Sequence, residues 1–139
     1  MSIDPNSPVP VYLQIVDHIR RAVAAGIYHP GELIPSQRAL ALQQTVNPNT
    51  VQRAYEVLER EGLVRARKGV GMYVTEQGVA VAQSKAEEML CAAFTQAIRA
   101  ALAARIPAER IRAGFEKAWQ EVQSSRCERD ITSKERTQP

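Results

Sequence analysis

The sequence is poor in the features that staple, span or catalyse. Its two cysteines, Cys91 and Cys127, stand far apart and neither has a C-x-x-C neighbour, which argues against a zinc site and a disulfide framework. Cys91 lies in an apolar helical pattern and is expected as a small core residue. Cys127 falls in a polar tail and is expected at the surface. No run approaches the roughly 18 apolar residues of a membrane span. The opening stretch MSIDPNSPVPVY lacks the basic and apolar regions of a secretory signal, so a cytoplasmic protein is expected. His18 has no second ligand at metal spacing and reads as a surface residue, so no metal site is expected. Asp17-His18 and the scattered serines make no triad. No paired carboxylates stand out, and no phosphate-cradling glycine loop precedes a helix; neither an enzyme nor a cofactor is expected. There is no internal repeat.

Charge of one sign is also scarce. The net charge is +3 with a pI of about 9.1, which favours an anionic partner only mildly. Residues 1–78 hold 8 Lys+Arg against 7 Asp+Glu, and residues 79–139 hold 10 against 8. Any nucleic-acid contact in the first half must therefore come from local clustering, at Arg38, Arg53, Arg65, Arg67 and Lys68. A length of 139 residues with 45% hydrophobic and 24% charged content suits one soluble domain, or a small domain with an appendage.

The informative stretch is Pro35–Tyr55, PSQRALALQQTVNPNTVQRAY. Ser36 can cap a helix that starts at Gln37, with Ala39, Leu40 and Leu42 at helical spacing. That pattern stops at Thr45-Val46-Asn47. Asn47 then reads as the N-cap of a second helix with Pro48 at its first position, where the missing N–H removes nothing. Val51, Ala54, Tyr55 and Leu58 form its apolar stripe at i, i+3, i+4 and i+7. Helix, short turn, helix is the outline of a helix-turn-helix, whose second helix enters the DNA major groove. The opposite face carries Asn49, Thr50, Gln52 and Arg53, short or planar hydrogen-bonding groups suited to base edges and phosphates. Read alone, the segment is equally consistent with two ordinary helices of a small all-α domain.

Upstream, residues 1–9 read as an extended lead-in. Tyr12, Ile15, Val16, Ile19, Ala22 and Val23 then mark an amphipathic helix ending at Gly26. Pro30-Gly31 is a turn, and Glu32-Leu33-Ile34 is expected as a brief strand. Downstream, Gly62 closes the second helix of the pair. Leu63–Arg67 and Met72–Thr75 flank Lys68-Gly69-Val70-Gly71 as a β-hairpin. A hairpin directly after a helix-turn-helix makes a winged helix. Its tip is basic, and its glycines let backbone approach a phosphate or groove wall without a Cβ in the way.

The expected architecture is mainly α with a small β-wing: a winged helix-turn-helix at residues 10–76, followed by a two-helix C-terminal dimerisation hairpin. A connector is expected from about Glu76 to Ser84, within a helical region spanning 77–123. Its first helix, Lys85–Ala104, is alanine-rich with Leu90, Phe94, Ile98 and Leu102 on its stripe. Arg105-Ile106-Pro107 breaks it, and Ala108 to about Gln123 carries Ile111, Phe115 and Trp119 on one face. Two apolar stripes on so small a unit call for a partner surface, and an intersubunit interface is favoured over a cap on the same chain. Residues 124–139 read as a disordered tail.

The segments Pro10–Ile15, Gly31–Arg38, Val46–Val51, Arg53–Tyr55, Glu61–Val64 and Gly69-x-Gly71-x-Tyr73-Val74 together resemble the GntR family of bacterial transcriptional regulators. The Val46–Val51 run and the short helical C-terminal region are similar to its YtrA subfamily. The resemblance is dense over residues 8–75. It implies a homodimer that binds an inverted-repeat operator in double-stranded DNA, usually as a repressor; the subfamily's members are similar to regulators of transport operons. By position it implies DNA contacts from Ser36, Arg38, Asn47, Asn49, Thr50, Arg53, Lys68 and Gly69. Ser36 and Thr50 would hold phosphates, Arg38 and Asn49 reach base edges, and Lys68-Gly69 touch the minor groove. The sequence departs from common relatives at Ile34, Gln37, Pro48 and Gln52, so their base readout does not transfer. A small-molecule effector stands as a candidate partner, although residues 79–123 show no converging polar cluster. The alternative function is a winged-helix module that binds protein without specific DNA binding.

Overall fold

A computed structural model describes the backbone of residues 1–135 and side chains as far as Arg126. The chain divides into two compact units, Met1–Leu90 and a second beginning at Cys91. In order, the elements are α1 (Val11–Ala24), α2 (Gln37–Gln44), α3 (Pro48–Arg60), β1 (Val64–Arg67), β2 (Gly71–Val74), α4 (Gly78–Ala103) and α5 (Ala108–Glu135). The boundary between the units falls inside α4.

In the first unit the apolar stripes read from sequence converge. Ile15, Val16, Ile19 and Val23 of α1 are buried with Leu40 and Ala41 of α2 and with Val51, Ala54, Tyr55 and Leu58 of α3. Ile34, Leu63, Val64, Val74 and Ala82 complete this core. Each large aliphatic side chain removed from water contributes about 1.5–3 kcal/mol. Helix α1 ends with Gly26 in the left-handed region, and α3 ends likewise at Gly62. Each ending is closed by a pair of reversed hydrogen bonds, such as Leu63 N to Leu58 O and Gly62 N to Glu59 O. Arg20 of α1 grips Glu61 at the end of α3 through two hydrogen bonds, so the start and finish of the helical core are tied together.

The hairpin pairs β1 with β2 in antiparallel register, Val64 opposite Val74 and Arg67 opposite Gly71. The expected strand at Glu32–Ile34 is present only as a single bridge, Leu33 to Tyr73. Its backbone nonetheless runs along the free side of β2. Gly31 N donates to Val74 O, Val74 N to Glu32 O and Ile34 N to Met72 O. The wing is thus buttressed by the segment that leads into α2.

Other expectations change as well. The lead-in is folded back by turns: Gln14 accepts from Asp4 N–H and donates to the carbonyls of Asp4 and Val9, and Ile3 packs on the core. The connector is absent as such, because α4 already begins at Gly78. Ala80, Ala82 and Ala86 carry good helix propensity, and Ala82 gives a helical residue a place in the core. Helix α5 runs to Glu135 instead of ending near Gln123, so residues 124–135 are helical and not a disordered tail; residues 136–139 lie outside the described residues. Serine hydroxyls at 124 and 125 fold back onto the carbonyls of Gln120 and Glu121, so these polar residues do not interrupt the helix.

In the second unit α4 and α5 are joined by Arg105, which takes the left-handed conformation. Ile106 N donates to Ala101 O and Arg105 N to Leu102 O, the same closure as at Gly26 and Gly62. Phe94 meets Phe115 edge-on at 5.8 Å, and Phe115 stacks near Trp119 at 6.3 Å. Leu90, Phe94, Ile98, Leu102, Phe115 and Trp119 stay exposed, Trp119 at 52%, and Ile111 is half-buried. Cys91 is exposed and not a core residue as expected; no second layer covers its face of α4 among the described residues. The side chain of Cys127 lies outside the described residues.

Candidate nucleic-acid interface

Because Val51, Ala54, Tyr55 and Leu58 are buried and Val57 packs against the same core, helix α3 must turn its polar residues outward. Asn49, Gln52, Arg53 and Glu56 are exposed, and Thr50 is half-buried. The helix starts where the sequence places it: Asn47 Oδ1 accepts from Asn49 N–H at 2.8 Å. That bond commits the oxygen of Asn47 to the cap and leaves its amide nitrogen as the outward donor. Gln52 Nε2 donates to Glu56 Oε1 at 3.0 Å, laying both side chains along the same face.

The start of α2 is built in the same way. Ser36 Oγ accepts from Ala39 N–H at 3.2 Å, so its hydroxyl proton can still be given to an acceptor outside the helix. The orientation of α2 against α3 is fixed from behind. Tyr55 donates its hydroxyl to Pro35 O at 2.6 Å, and burial pushes that phenol far up from its ordinary value, with the charge of Tyr28 adding to the effect. It stays a donor at any working pH.

The turn between α2 and α3 is closed by Thr45 in the left-handed region, with Val46 N donating to Ala41 O and Thr45 N to Leu42 O. An open groove of about 610 Å³ runs over this turn, lined by Arg38, Ala41, Leu42, Thr45, Val46 and Pro48. A second groove, of about 480 Å³, lies between the start of α2 and the wing. Ser36, Gln37 and Arg38 line one wall, and residues from Ala66 to Met72 line the other. Arg38 belongs to both grooves.

The wing tip turns at Gly69, whose φ of +76° favours glycine. Arg67 lies over the ring of Tyr73 at 5.0 Å. Behind the hairpin, Glu59 of α3 accepts from Ala66 N–H, so one carboxylate is turned to the wing backbone. Arg38, Arg53, Arg65, Arg67 and Lys68 are all exposed. Donors of this kind can hold phosphates, and the planar amides and guanidinium groups can address base edges.

The expected residues thus fall into groups. Ser36, Arg38, Lys68 and Gly69 share the wing groove. Asn47, Asn49 and Thr50 stand at the opening of α3, next to the groove that Pro48 and Arg38 line. Arg53 belongs to neither: its guanidinium carbon sits 4.0 Å from the ring centroid of Tyr12 on α1. Gln37, already marked by its place beside Ser36, lines the same groove. Sequence reading missed Glu56, Tyr12 and Tyr73 as neighbours of this surface; Tyr12 and Tyr73 sit at positions whose spacing marks them only as core or strand residues.

Comparison with known proteins follows the same outline. Residues 11–74 match the family model described as bacterial regulatory proteins, gntR family. A GntR family transcriptional regulator from Listeria monocytogenes is 32% identical, with 83% of this chain and 98% of that chain covered and a TM-score of 0.70. The chain belongs to the GntR family. The repressor YtrA of Bacillus subtilis is 43% identical over 76 residues, which are 55% of this chain and 58% of that repressor. This GntR chain therefore spans about three fifths of a curated relative it matches. The DNA-binding domain of AraR, solved in complex with operator ORX1, is 27% identical, with 54% of this chain and 93% of that chain covered and a TM-score of 0.50. The family and these relatives are transcription regulators, not enzymes. Among the described residues no helix is long and apolar enough to cross a membrane.

Proposed function

We propose that this GntR-family chain is a sequence-specific regulator that binds an inverted-repeat operator as a homodimer and represses transcription. The observation that carries the reading is the exposed polar face of α3, together with a groove between the start of α2 and the wing that Arg38 and the Gly69 tip both line. Helix α3 enters the major groove, where Asn49 and Arg38 address base edges. Ser36, Thr50 and Arg53 take phosphates, as does the free amide of Asn47, and Lys68-Gly69 reach the adjoining minor groove. The half-exposed stripes of Leu90, Phe94, Ile98, Leu102, Ile111, Phe115 and Trp119 support a self-complementary interface between two copies. Such a dimer meets half-sites about 34 Å apart, or a multiple of that. By its YtrA-like sequence, the regulated target is a transport operon.

The test is fluorescence anisotropy on duplex DNA from upstream of the protein's own gene, against a scrambled duplex and across a salt series. Tight binding to the first duplex only, with log K falling linearly in log salt, is expected. Arg38→Ala should cost roughly 1–3 kcal/mol and relax discrimination between the two duplexes. Binding that ignores salt, or that treats both duplexes alike, would refute site-specific recognition at this DNA.

A further inference from the structure

The stack of Arg53 on Tyr12 joins the exposed face of α3 to the opening of α1. Tyr12 stands in the first turn of α1 and is half-buried, its ring packed on the core. Arg53 lies one turn along α3 from Asn49 and is exposed. The guanidinium lies over the ring at 4.0 Å, a distance typical of a cation–π contact. No carboxylate is within ion-pair reach of Arg53 among the described residues. Its charge is thus met by a ring and by no ion pair among the described residues.

A stack of this kind occupies the face of the guanidinium and leaves its in-plane N–H groups open. Those are the groups that address a phosphate, two at a time. An arginine on an exposed helix face otherwise samples many rotamers, and ordering such a side chain at an interface costs affinity. The core that seats Tyr12 is contributed by both α1 and α3, so the ring is a rigid rest for the Arg53 side chain.

We propose that Tyr12 is a positioning residue for DNA binding: its ring presents the guanidinium edge of Arg53 to a backbone phosphate. The proposal rests on the DNA-binding reading above. It assigns Tyr12 no contact with DNA and predicts that its effect passes wholly through Arg53. The ring, not the hydroxyl, is the working part.

The experiment is a double-mutant cycle by fluorescence anisotropy on the same upstream duplex and on its scrambled counterpart, using the full chain. Arg53→Ala should weaken binding to both duplexes and lower the salt slope by about one unit, as expected for a lost phosphate contact. Tyr12→Leu keeps apolar bulk in the core and should weaken both by about two- to tenfold, the cost of ordering one long side chain. Tyr12→Phe should bind as the parent does. In the Arg53→Ala background, Tyr12→Leu should cost nothing further. An equal loss in that background would overturn the proposal, because it would show that Tyr12 acts through the fold or by its own contact. Loss with Tyr12→Phe would also overturn it by assigning the effect to the hydroxyl, and an unaffected Arg53→Ala would remove the phosphate contact itself. A parent chain that binds neither duplex at low salt would instead sink the DNA reading, and the positioning role with it.

Discussion

Gly78→Ala tests how the long helix α4 is seated on the winged unit. Propensity alone favours the change, since alanine is better than glycine inside a helix by about 1 kcal/mol. The structure opposes it. Gly78 is buried at the first turn of α4 and its N–H donates to Thr75 O. A Cβ there would meet Val74 Cγ1 at 2.8 Å, Leu63 O at 2.9 Å and Thr75 Oγ1 at 3.3 Å. Val74 is fully buried, so its methyl cannot swing into solvent. Leu63 O is backbone, and it is held by Thr75 N at 3.1 Å and approached by the Thr75 hydroxyl. Overpacking of this kind costs about 1–3 kcal/mol, and here neither obstacle can give way cheaply. With the clash in the upper part of that range, about 2–3 kcal/mol, and about 1 kcal/mol regained in propensity, the net loss should be about 1–2 kcal/mol. Urea unfolding followed by far-ultraviolet circular dichroism would read it as a lower midpoint with an unchanged slope. Equal or greater stability would refute the argument, because it would mean that α4 does not rest on the end of β2 as described.

Three further perturbations probe other joints. Tyr55→Phe removes the donor to Pro35 O, a 2.6 Å bond in the core, and should cost about 1–2 kcal/mol in thermal unfolding because the carbonyl is left without a partner; a change below measurement error would show that water takes over. Thr45→Gly relieves a β-branched residue held at φ +54° and should stabilise by roughly 0.5–1 kcal/mol; destabilisation would show that the Thr45 side chain contributes more than its strain costs. His18 has its proton affinity lowered from the ordinary 6.5 by partial burial first, then by the N-terminal ammonium and Arg21, against an opposing pull from Asp17. The unfolded chain therefore takes up that proton first, so stability is fullest above pH 6.5 and declines as pH falls below it. His18→Gln should flatten that part of a denaturation-midpoint profile, and an unchanged slope would place the titration elsewhere.

The sequence was most legible where one physical rule acts without competition. The N-caps at Ser36 and Asn47 both close as their residue types require, and the stripe of Val51, Ala54, Tyr55 and Leu58 is buried in full. Gly26 and Gly62 end helices because only glycine enters the left-handed region cheaply. The same closure at Thr45 and Arg105 carries no glycine, so those turns had to be inferred from the pattern running out and from Pro107. What could not be read depends on pieces distant in sequence. Glu32–Ile34 reads as a brief strand, but its partner cannot be read from its residues: the segment forms a single bridge and takes its place through hydrogen bonds with β2. The polar residues after Gln123 resembled a tail because their sequence carries no apolar stripe, yet α5 continues through them. Arg53 shows the limit most clearly. Its position on α3 marked it for the outward face, but the ring that holds it comes from position 12, on another helix. Sequence spacing assigns a residue to a face; which neighbour then fixes its direction is decided by how two helices cross, and that is a property of the packed core.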